Sequence, residues 1–438
     1  MSQDIVFTLI KKEEKRQKEM IGLIPSENTV SDDVSAVLSS CLSNKYSEGF
    51  PHHRYYEGNQ VIDEIEDLAR DRIKELFKVP YVNVQPYSGS PANTAIYFAL
   101  MKPGDTLLGL KLTKGGHLTH GHPKVTMSGR FYNSIQYGLN SNDRVDFDEV
   151  RKLTLEHKPK VIVAGNTAYP FELDFKKFRE IADEVGAWLV ADISHVTGLV
   201  LGNEHMSPVP YADVIMSTTH KTFRGPRGAM ILVTDKGMER DSKLGRKIDS
   251  AIIPGNQGGP HNATTAAIAI AAQEAARPGF QTYIKQIRKN ADALSNALQE
   301  NGLDLVGGGT DTHLMLLDLS KVGYGLGKQV AFAMDVAGIY ANANTVPSEV
   351  VSPFYPSGVR IGTPLVTSRG MKEKEMEMIA SWIARVVEIV KREELPKDKA
   401  KRASFILEFE TRAIKNKDLK AIRKEVVSLT NGFPLFTW

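Results

Sequence analysis

A lysine between hydroxyl residues is the first candidate for chemistry in this chain. It lies in Ser217-Thr218-Thr219-His220-Lys221-Thr222-Phe223-Arg224-Gly225-Pro226-Arg227-Gly228. A protonated amine is a poor nucleophile; burial and nearby cations lower its pKa and free it to form a Schiff base. His220, Arg224 and Arg227 supply such neighbours. Alone, the stretch reads more readily as a solvated basic loop. Asp192 ends the apolar run Trp188-Leu189-Val190-Ala191, and a carboxylate buried there needs a positive partner. The competing reading is a helix N-cap at a strand exit.

Four further stretches carry polar groups in unusual settings. Gln85-Pro86-Tyr87-Ser88-Gly89-Ser90-Pro91-Ala92-Asn93 joins a strand to a helix. Such a turn offers backbone N–H groups to a phosphate, though it is neither a Walker motif nor GxGxxG. Gly115-Gly116-His117-Leu118-Thr119-His120-Gly121-His122 sets three histidines among glycines. They lack a Cys or Glu at metal-ligand spacing, so no metal site is expected, and a planar histidine stacked on a ring is the better use. Residues 44–58 form a loop holding Tyr46, Tyr55, Tyr56, Arg54, Glu48 and Glu57, a heavy load for a connector. Its plain alternative is a surface loop packed by its own aromatics. Arg360, in Val359-Arg360-Ile361-Gly362-Thr363-Pro364, is either a carboxylate clamp or an ordinary arginine beside a turn. A Schiff-base lysine, an acid for a pyridine nitrogen, a phosphate turn, a stacking histidine and a late arginine are the parts of a pyridoxal phosphate enzyme.

These groups need a scaffold. Apolar runs without alternation at 161–165 and 188–191, separated by a helix, predict a parallel sheet buried on both faces, and further strands are expected at 81–84, 106–110 and 229–233. Asp192 then sits at the carboxyl end of a central strand, where open α/β sheets bind ligands. Helices are expected at about 32–42, 61–77, 94–101, 175–185 and 263–276, with a turn and helix start at 24–28. Arg277-Pro278-Gly279 marks a boundary. Beyond it come a helix at 283–301, a strand within 307–319, a helix at 327–337, and closing helices at 373–393 and 398–429.

The bulk numbers narrow the class. At 438 residues two or more subdomains are expected. A net charge of +3 gives no support for nucleic acid as a partner. The single Cys41 rules out an intrachain disulfide and fits a reducing compartment. The first twenty residues lack a signal-peptide apolar core, and no apolar run is long enough to span a bilayer. A cytoplasmic enzyme is expected.

From residue 24 almost to its end the chain resembles serine hydroxymethyltransferase. The resemblance rests on Asn44-Lys45-Tyr46-Ser47-Glu48-Gly49 with Arg54-Tyr55-Tyr56, on Gly115 to Gly121, and on Ser217 to Gly228. It rests also on Pro254-Gly255-Asn256-Gln257-Gly258-Gly259-Pro260 and on Arg360-Ile361-Gly362-Thr363-Pro364. The implied fold is α/β, the type I fold of pyridoxal phosphate transferases. It has a large domain with a mostly parallel seven-stranded sheet, a smaller α+β C-terminal domain and an N-terminal arm. The implied segments are an arm and dimer-contacting loop at 1–60, a cofactor domain at 61–276 and a small domain at 277–438.

The resemblance also implies roles. Lys221 would carry pyridoxal 5'-phosphate, Asp192 would pair with its ring nitrogen, and His117 would stack on its face. Ser88, Gly89 and Ser90 would hold the phosphate, with Thr167, His195 and His220 lining the pocket and Thr218 among the catalytic group. Arg360 would grip the amino-acid carboxylate, and Ser26 would belong to the substrate site. Glu48 would be the acid/base carboxylate. Tyr46, Glu48, Tyr55, Tyr56 and Gly259 would reach into a neighbouring subunit's site, making a homodimer the smallest complete enzyme, with a tetramer possible. Leu112, Gly116, Leu118, Asn344 and Ser352-Pro353-Phe354 would contact a reduced pterin, the co-substrate that takes the hydroxymethyl carbon of serine and leaves glycine.

Some positions depart from the family pattern. Thr167 stands for a serine, Lys114 for a histidine and Ala343 for a lysine, and residues 264–267 also differ. Changes next to pterin contacts bear on the carrier, tetrahydrofolate or a modified pterin such as tetrahydromethanopterin. The rival activity is a pterin-independent aldolase acting on 3-hydroxy amino acids such as threonine. A rival of another class is a cofactor-bound regulatory protein without turnover, against which the joint presence of Lys221, Asp192, Glu48 and Arg360 argues.

Overall fold

The computed structural model describes residues 4–436. The chain divides into two units. One is Asn28–Lys285; the other takes in the stretch through Glu27 and the chain from Gln286 on. The units divide at 27/28 and 285/286. The second division falls inside a helix, Pro278–Glu300.

The larger unit is built on a sheet of seven strands. In chain order they are β1 (Tyr81–Asn83), β2 (Thr106–Leu110), β3 (Asn133–Tyr137), β4 (Val161–Gly165), β5 (Trp188–Asp192), β6 (Val214–Thr218) and β7 (Ala229–Val233). Their order across the sheet is β1-β7-β6-β5-β4-β2-β3. Neighbours from β3 to β6 pair in parallel; β7 alone runs against both its neighbours. The unalternated apolar sequences of β4 and β7, and β6 with its Ser217 and Thr218, are buried at every position, as a sheet covered on both faces requires.

Helices supply the crossovers. Phe175–Val185 starts where the Asp174 carboxylate accepts from the Lys177 amide and stops at Gly186 in the left-handed region, φ 70°. Its Phe175, Phe178, Ile181 and Ala182 are buried. Asn262–Ala275, rich in alanine, packs on Gln60–Phe77 and on Asp32–Leu38, where small side chains allow close approach. One helix differs usefully from expectation: Gly89–Leu100 begins five residues before 94. Gly, Ser and Pro read as loop, but Pro91 lacks only an N–H that the first helical turn leaves unused. The turn at 24–28 starts no helix; the next begins at Asp32, capped by Ser31, and ends at Leu38 rather than 42.

The smaller unit carries a four-stranded antiparallel sheet in the order Asp304–Leu305, Leu314–Asp318, Gly358–Gly362, Asn342–Asn344. Its core joins Leu317, Val359 and Ile361 to Trp382, Ile383 and Val387 of helix Glu373–Val390. The early chain belongs to this unit. Ile21–Gly22 pairs in parallel with Ile339–Tyr340, the Gly362 amide donates to the Leu23 carbonyl at 2.8 Å, and Ile21 and Leu23 are buried. The single closing helix expected over 398–429 is two, Arg402–Ala413 and Lys417–Thr430, because the Asn416 side chain accepts from the amides of Asp418 and Leu419 and starts a new one. No described helix is long and apolar enough to cross a membrane.

Candidate active site

Because β7 runs antiparallel beside β6, with Ala229 opposite Thr218, residues 219–228 form a loop closed between adjacent strands. Hydrogen bonds tie that loop internally: Thr219 N–H to Gly228 O at 3.1 Å, Gly225 N–H to Thr219 O at 2.7 Å, and the Thr219 hydroxyl to Pro226 O at 2.6 Å. The Lys221 carbonyl accepts from Asn28 Nδ2 at 2.9 Å. The next hydroxyl, Thr222, donates to His195 O at 2.8 Å. The lysine is therefore half-buried on a backbone clamped from both sides.

Its expected cationic neighbours need correction. Burial first, then the charges of Lys221 and Arg227, push the His220 imidazole down to about 4, so it is neutral near pH 7 and supplies no cation. Arg224 is turned to the Thr29 carbonyl at 3.0 Å and over the Tyr283 ring. Arg227 is the exposed member.

Asp192 ends β5, next to the strand that leads into Lys221; its Cα partner on β6 is Met216. It caps no helix. Its Oδ2 accepts from His120 Nε2 at 2.8 Å and Asn93 Nδ2 at 3.1 Å, and its Oδ1 from the Ser194 amide at 3.1 Å. Burial, the largest single influence, would raise this carboxyl; the hydrogen bonds from His120 and Ser194 and the charges of His120 and Lys221 together outweigh it, and the group stays ionised well below the usual carboxylate range. Gly165 leaves the room, since a Cβ there would lie 2.7 Å from Asp192 Cβ.

His120 and Asn93 are the partners that sequence reasoning missed. His120 was visible only as one of three histidines. Its contact with Asp192 spans 72 residues and follows no periodicity.

The His117 loop is fitted tightly to the sheet. Gly115 has φ 99°, and a Cβ on Gly116 would stand 2.0 Å from the Leu110 carbonyl oxygen. The Gly115 carbonyl accepts from the Thr167 amide at 2.7 Å. His117 Nδ1 lies 2.7 Å from the Thr119 hydroxyl, and Leu112 and Leu118 expose apolar side chains from the same segment.

Ser88 precedes the helix Gly89–Leu100 without spending its side chain on a capping bond. The Thr218 methyl presses on Gly89, where a Cβ would lie 2.8 Å away. Gln257 accepts from the Tyr87 amide and donates to Gln85 O, Asn256 donates to Pro91 O, and the Tyr87 hydroxyl donates to Gly259 O. The 254–260 turn thus braces the Ser88-Gly89-Ser90 turn. The Tyr46 ring lies 3.3 Å from where a Cβ on Gly259 would stand, and the Tyr46 hydroxyl donates to Glu48 Oε1 at 3.3 Å. The negative Glu48 beside it raises the Tyr46 phenol. Tyr56 meets the Tyr46 ring edge-on at 5.2 Å, while Tyr55 is exposed.

Arg54 is the anchor of this loop. Its guanidinium is buried and bonds Asp63, Glu66 and the carbonyls of Ser47 and Gly49.

The smaller unit holds the remaining predicted residues. Arg360, on Gly358–Gly362, is buried, donates from Nε to Asn342 Oδ1 at 3.0 Å and is pushed down to about 10 by burial. Asn344 bonds the Thr345 carbonyl, and Ser352-Pro353-Phe354 is a surface turn with Phe354 exposed. Ser26 is half-buried.

A family model described as serine hydroxymethyltransferase matches residues 1–383. A protein of Desulfotalea psychrophila named serine hydroxymethyltransferase is 53% identical over 382 residues, 87% of this chain and 88% of that one. One of Acidothermus cellulolyticus with the same name is 54% identical over 386 residues, 88% of each chain. A protein of Rickettsia bellii named probable serine hydroxymethyltransferase is 48% identical over 411 residues, 94% of this chain and 95% of that one.

Proposed function

The chain belongs to the serine hydroxymethyltransferase family, and we propose from that premise that it moves the hydroxymethyl carbon of serine to tetrahydrofolate, leaving glycine, with pyridoxal 5'-phosphate bound at Lys221. The observation that carries the reading is Asp192, a buried carboxylate kept ionised at a strand end, one strand from the lysine loop.

The residues present fit the cofactor. The N-terminus of Gly89–Leu100 presents backbone N–H groups at an uncapped Ser88, which suits a phosphate. His220 Nδ1 is buried without a hydrogen-bond partner. Asp192 is an acceptor for a protonated ring nitrogen. When bound, pyridoxal phosphate supplies an electron sink for the bond between the α-carbon and the hydroxymethyl group.

The chain's own groups do the rest. Lys221 would hold the cofactor through its side-chain amine. Asp192 would hold the proton on the ring nitrogen. His117 would cover the ring face, and Ser88, Gly89 and Ser90 would hold the phosphate, with Thr167, His195, His220 and Thr218 lining the pocket. Arg360 binds the carboxylate as a two-pronged donor, its burial strengthening the pairing. Glu48 holds or moves the proton at the serine hydroxyl oxygen or the pterin nitrogen. Leu112 and Leu118, exposed beside His117, are assigned to the apolar part of the pterin. Tyr46, Glu48, Tyr56 and Gly259 are assigned to a site shared across a homodimer, and the cytoplasm is the proposed compartment. Pterin-independent cleavage of 3-hydroxy amino acids is not favoured.

Borohydride reduction of the cofactor-loaded protein, followed by peptide mapping, tests the reading. The expected result is a phosphopyridoxyl mass on Lys221, with serine-to-glycine conversion dependent on tetrahydrofolate. Label on another lysine, or serine turnover indifferent to tetrahydrofolate, would overturn it.

A further inference from the structure

The carboxylate and the histidine of this site are joined by two side chains that have no assigned role, Asn93 and Thr119. Asn93 Nδ2 reaches both Asp192 Oδ2, at 3.1 Å, and the Thr119 hydroxyl oxygen, at 2.8 Å. The ionised carboxylate only accepts, so the amide nitrogen faces it, and its two hydrogens serve Asp192 and Thr119. The opposite amide orientation would set two acceptors against each other. Asn93 Oδ1 is buried without a partner, as expected if the donors fix the orientation.

The accounting continues through Thr119. Its hydroxyl accepts from Asn93, so its own hydrogen is available to His117 Nδ1, 2.7 Å away. The Thr119 backbone N–H also points at that nitrogen, at 3.2 Å. Two donors converging on Nδ1 require it to be unprotonated, which places the imidazole proton on Nε2. Thr119 is itself fixed: it is buried, and its carbonyl accepts from the buried Tyr97 hydroxyl at 2.9 Å.

Resting on the reading of His117 and Asp192 given above, we propose that Thr119 is a positioning residue. Through its hydroxyl it holds His117 in the Nε2–H tautomer, and through Asn93 it locks the plane of that ring to the carboxylate that receives the ring nitrogen. The two faces of cofactor recognition, stacking and nitrogen pairing, are then one hydrogen-bonded unit.

The test is Thr119→Val, which keeps the shape and removes the hydroxyl, beside Thr119→Ser, which keeps the hydroxyl. Protein labelled with 15N-histidine reports the ring-nitrogen shifts, and His117→Gln identifies the resonances. In Thr119→Val the His117 Nδ1 shift should move toward that of a nitrogen with fewer donors, and pyridoxal phosphate should bind about 3- to 10-fold more weakly. Thr119→Ser should restore both. Unchanged His117 shifts in Thr119→Val, or no restoration by Thr119→Ser, would refute the proposal. The shifts are read on cofactor-free protein as well. A wild-type protein that failed to bind pyridoxal phosphate would overturn the reading of the site, while the shifts would still decide the role of Thr119.

Discussion

Replacing Arg54 by methionine should unlatch the glutamate loop without touching the lysine. The guanidinium bonds Asp63 and Glu66, each at 2.8 Å, and two loop carbonyls; the Arg54 and Glu66 side chains are each 3% exposed. Removing one partner of a buried ionic cluster strands the others, a cost of about 3–5 kcal/mol. That is a large part of the total stability of a typical domain, about 5–15 kcal/mol. The penalty depends on pH. Burial already holds the Glu66 carboxyl above its ordinary value despite Arg54, and without Arg54 it rises further. A carboxyl raised in the folded state contributes stability that is complete below its unfolded pKa and lost as pH rises through the folded value. Asp63 is subject to burial that raises it and to Arg54 bonds that lower it below its ordinary value; losing those bonds removes stability present above the unfolded pKa. Arg54→Met should therefore lose least near pH 5 and progressively more toward pH 8. Urea titrations of both proteins at pH 5, 6, 7 and 8 measure the difference. A deficit under about 1 kcal/mol at pH 8, or one independent of pH, would refute the reasoning. Cofactor incorporation at Lys221 should survive at low urea while hydroxymethyl transfer falls.

Three further outcomes follow from the same geometry. Glu48→Gln should keep cofactor binding and lose about 10²- to 10⁴-fold in tetrahydrofolate-dependent turnover; unchanged turnover would remove Glu48 from the proton path. Gly116→Ala drives a methyl into the Leu110 carbonyl and should cost about 1–3 kcal/mol or more in thermal or urea unfolding, with pterin affinity falling as the His117 loop shifts; a variant as stable as the parent would show that the loop has slack. The depressed His220 stays neutral in the folded protein while the unfolded chain takes up a proton below about 6.5, so stability is lost as pH falls from there toward about 4. His220→Gln should flatten that part of the stability profile, and an unaltered acid limb would argue against a buried neutral imidazole.

The elements that could be read from sequence were those whose pattern is local. Apolar runs marked β1, β2, β4, β5 and β7 within a residue or two, and Asp192 stood at a strand end as expected; β3 and β6, whose sequences carry Asn, Ser, Gln and Thr, were not read as strands. The start of Gly89–Leu100 escaped because Gly, Ser and Pro discourage a helix interior yet suit its first turn. The partners of Asp192 escaped because Asn93 and His120 come from distant segments, placed by strand order rather than spacing. The Arg54 anchor had a faint signal. Asp63 and Glu66 are three apart on a predicted helix, which puts both carboxylates on one face, but nothing local says that the loop 9 and 12 residues earlier supplies their cation.

The pairing of Ile21–Gly22 with Ile339–Tyr340 has a consequence for how the protein is made. A ribosome extends a chain at about 5–20 residues per second. Ile21 and Leu23 emerge early, while the strand that receives Ile21 and the Gly362 amide that bonds Leu23 emerge on the order of 15 s to a minute later, after the whole Asn28–Lys285 unit. During that interval two side chains destined for full burial remain without their docking site. The larger unit can fold while its predecessor in the chain waits. Slowing translation between residues 286 and 339 should therefore lengthen the exposure of this first strand to chaperones and to self-association, more than the same pause placed after residue 362.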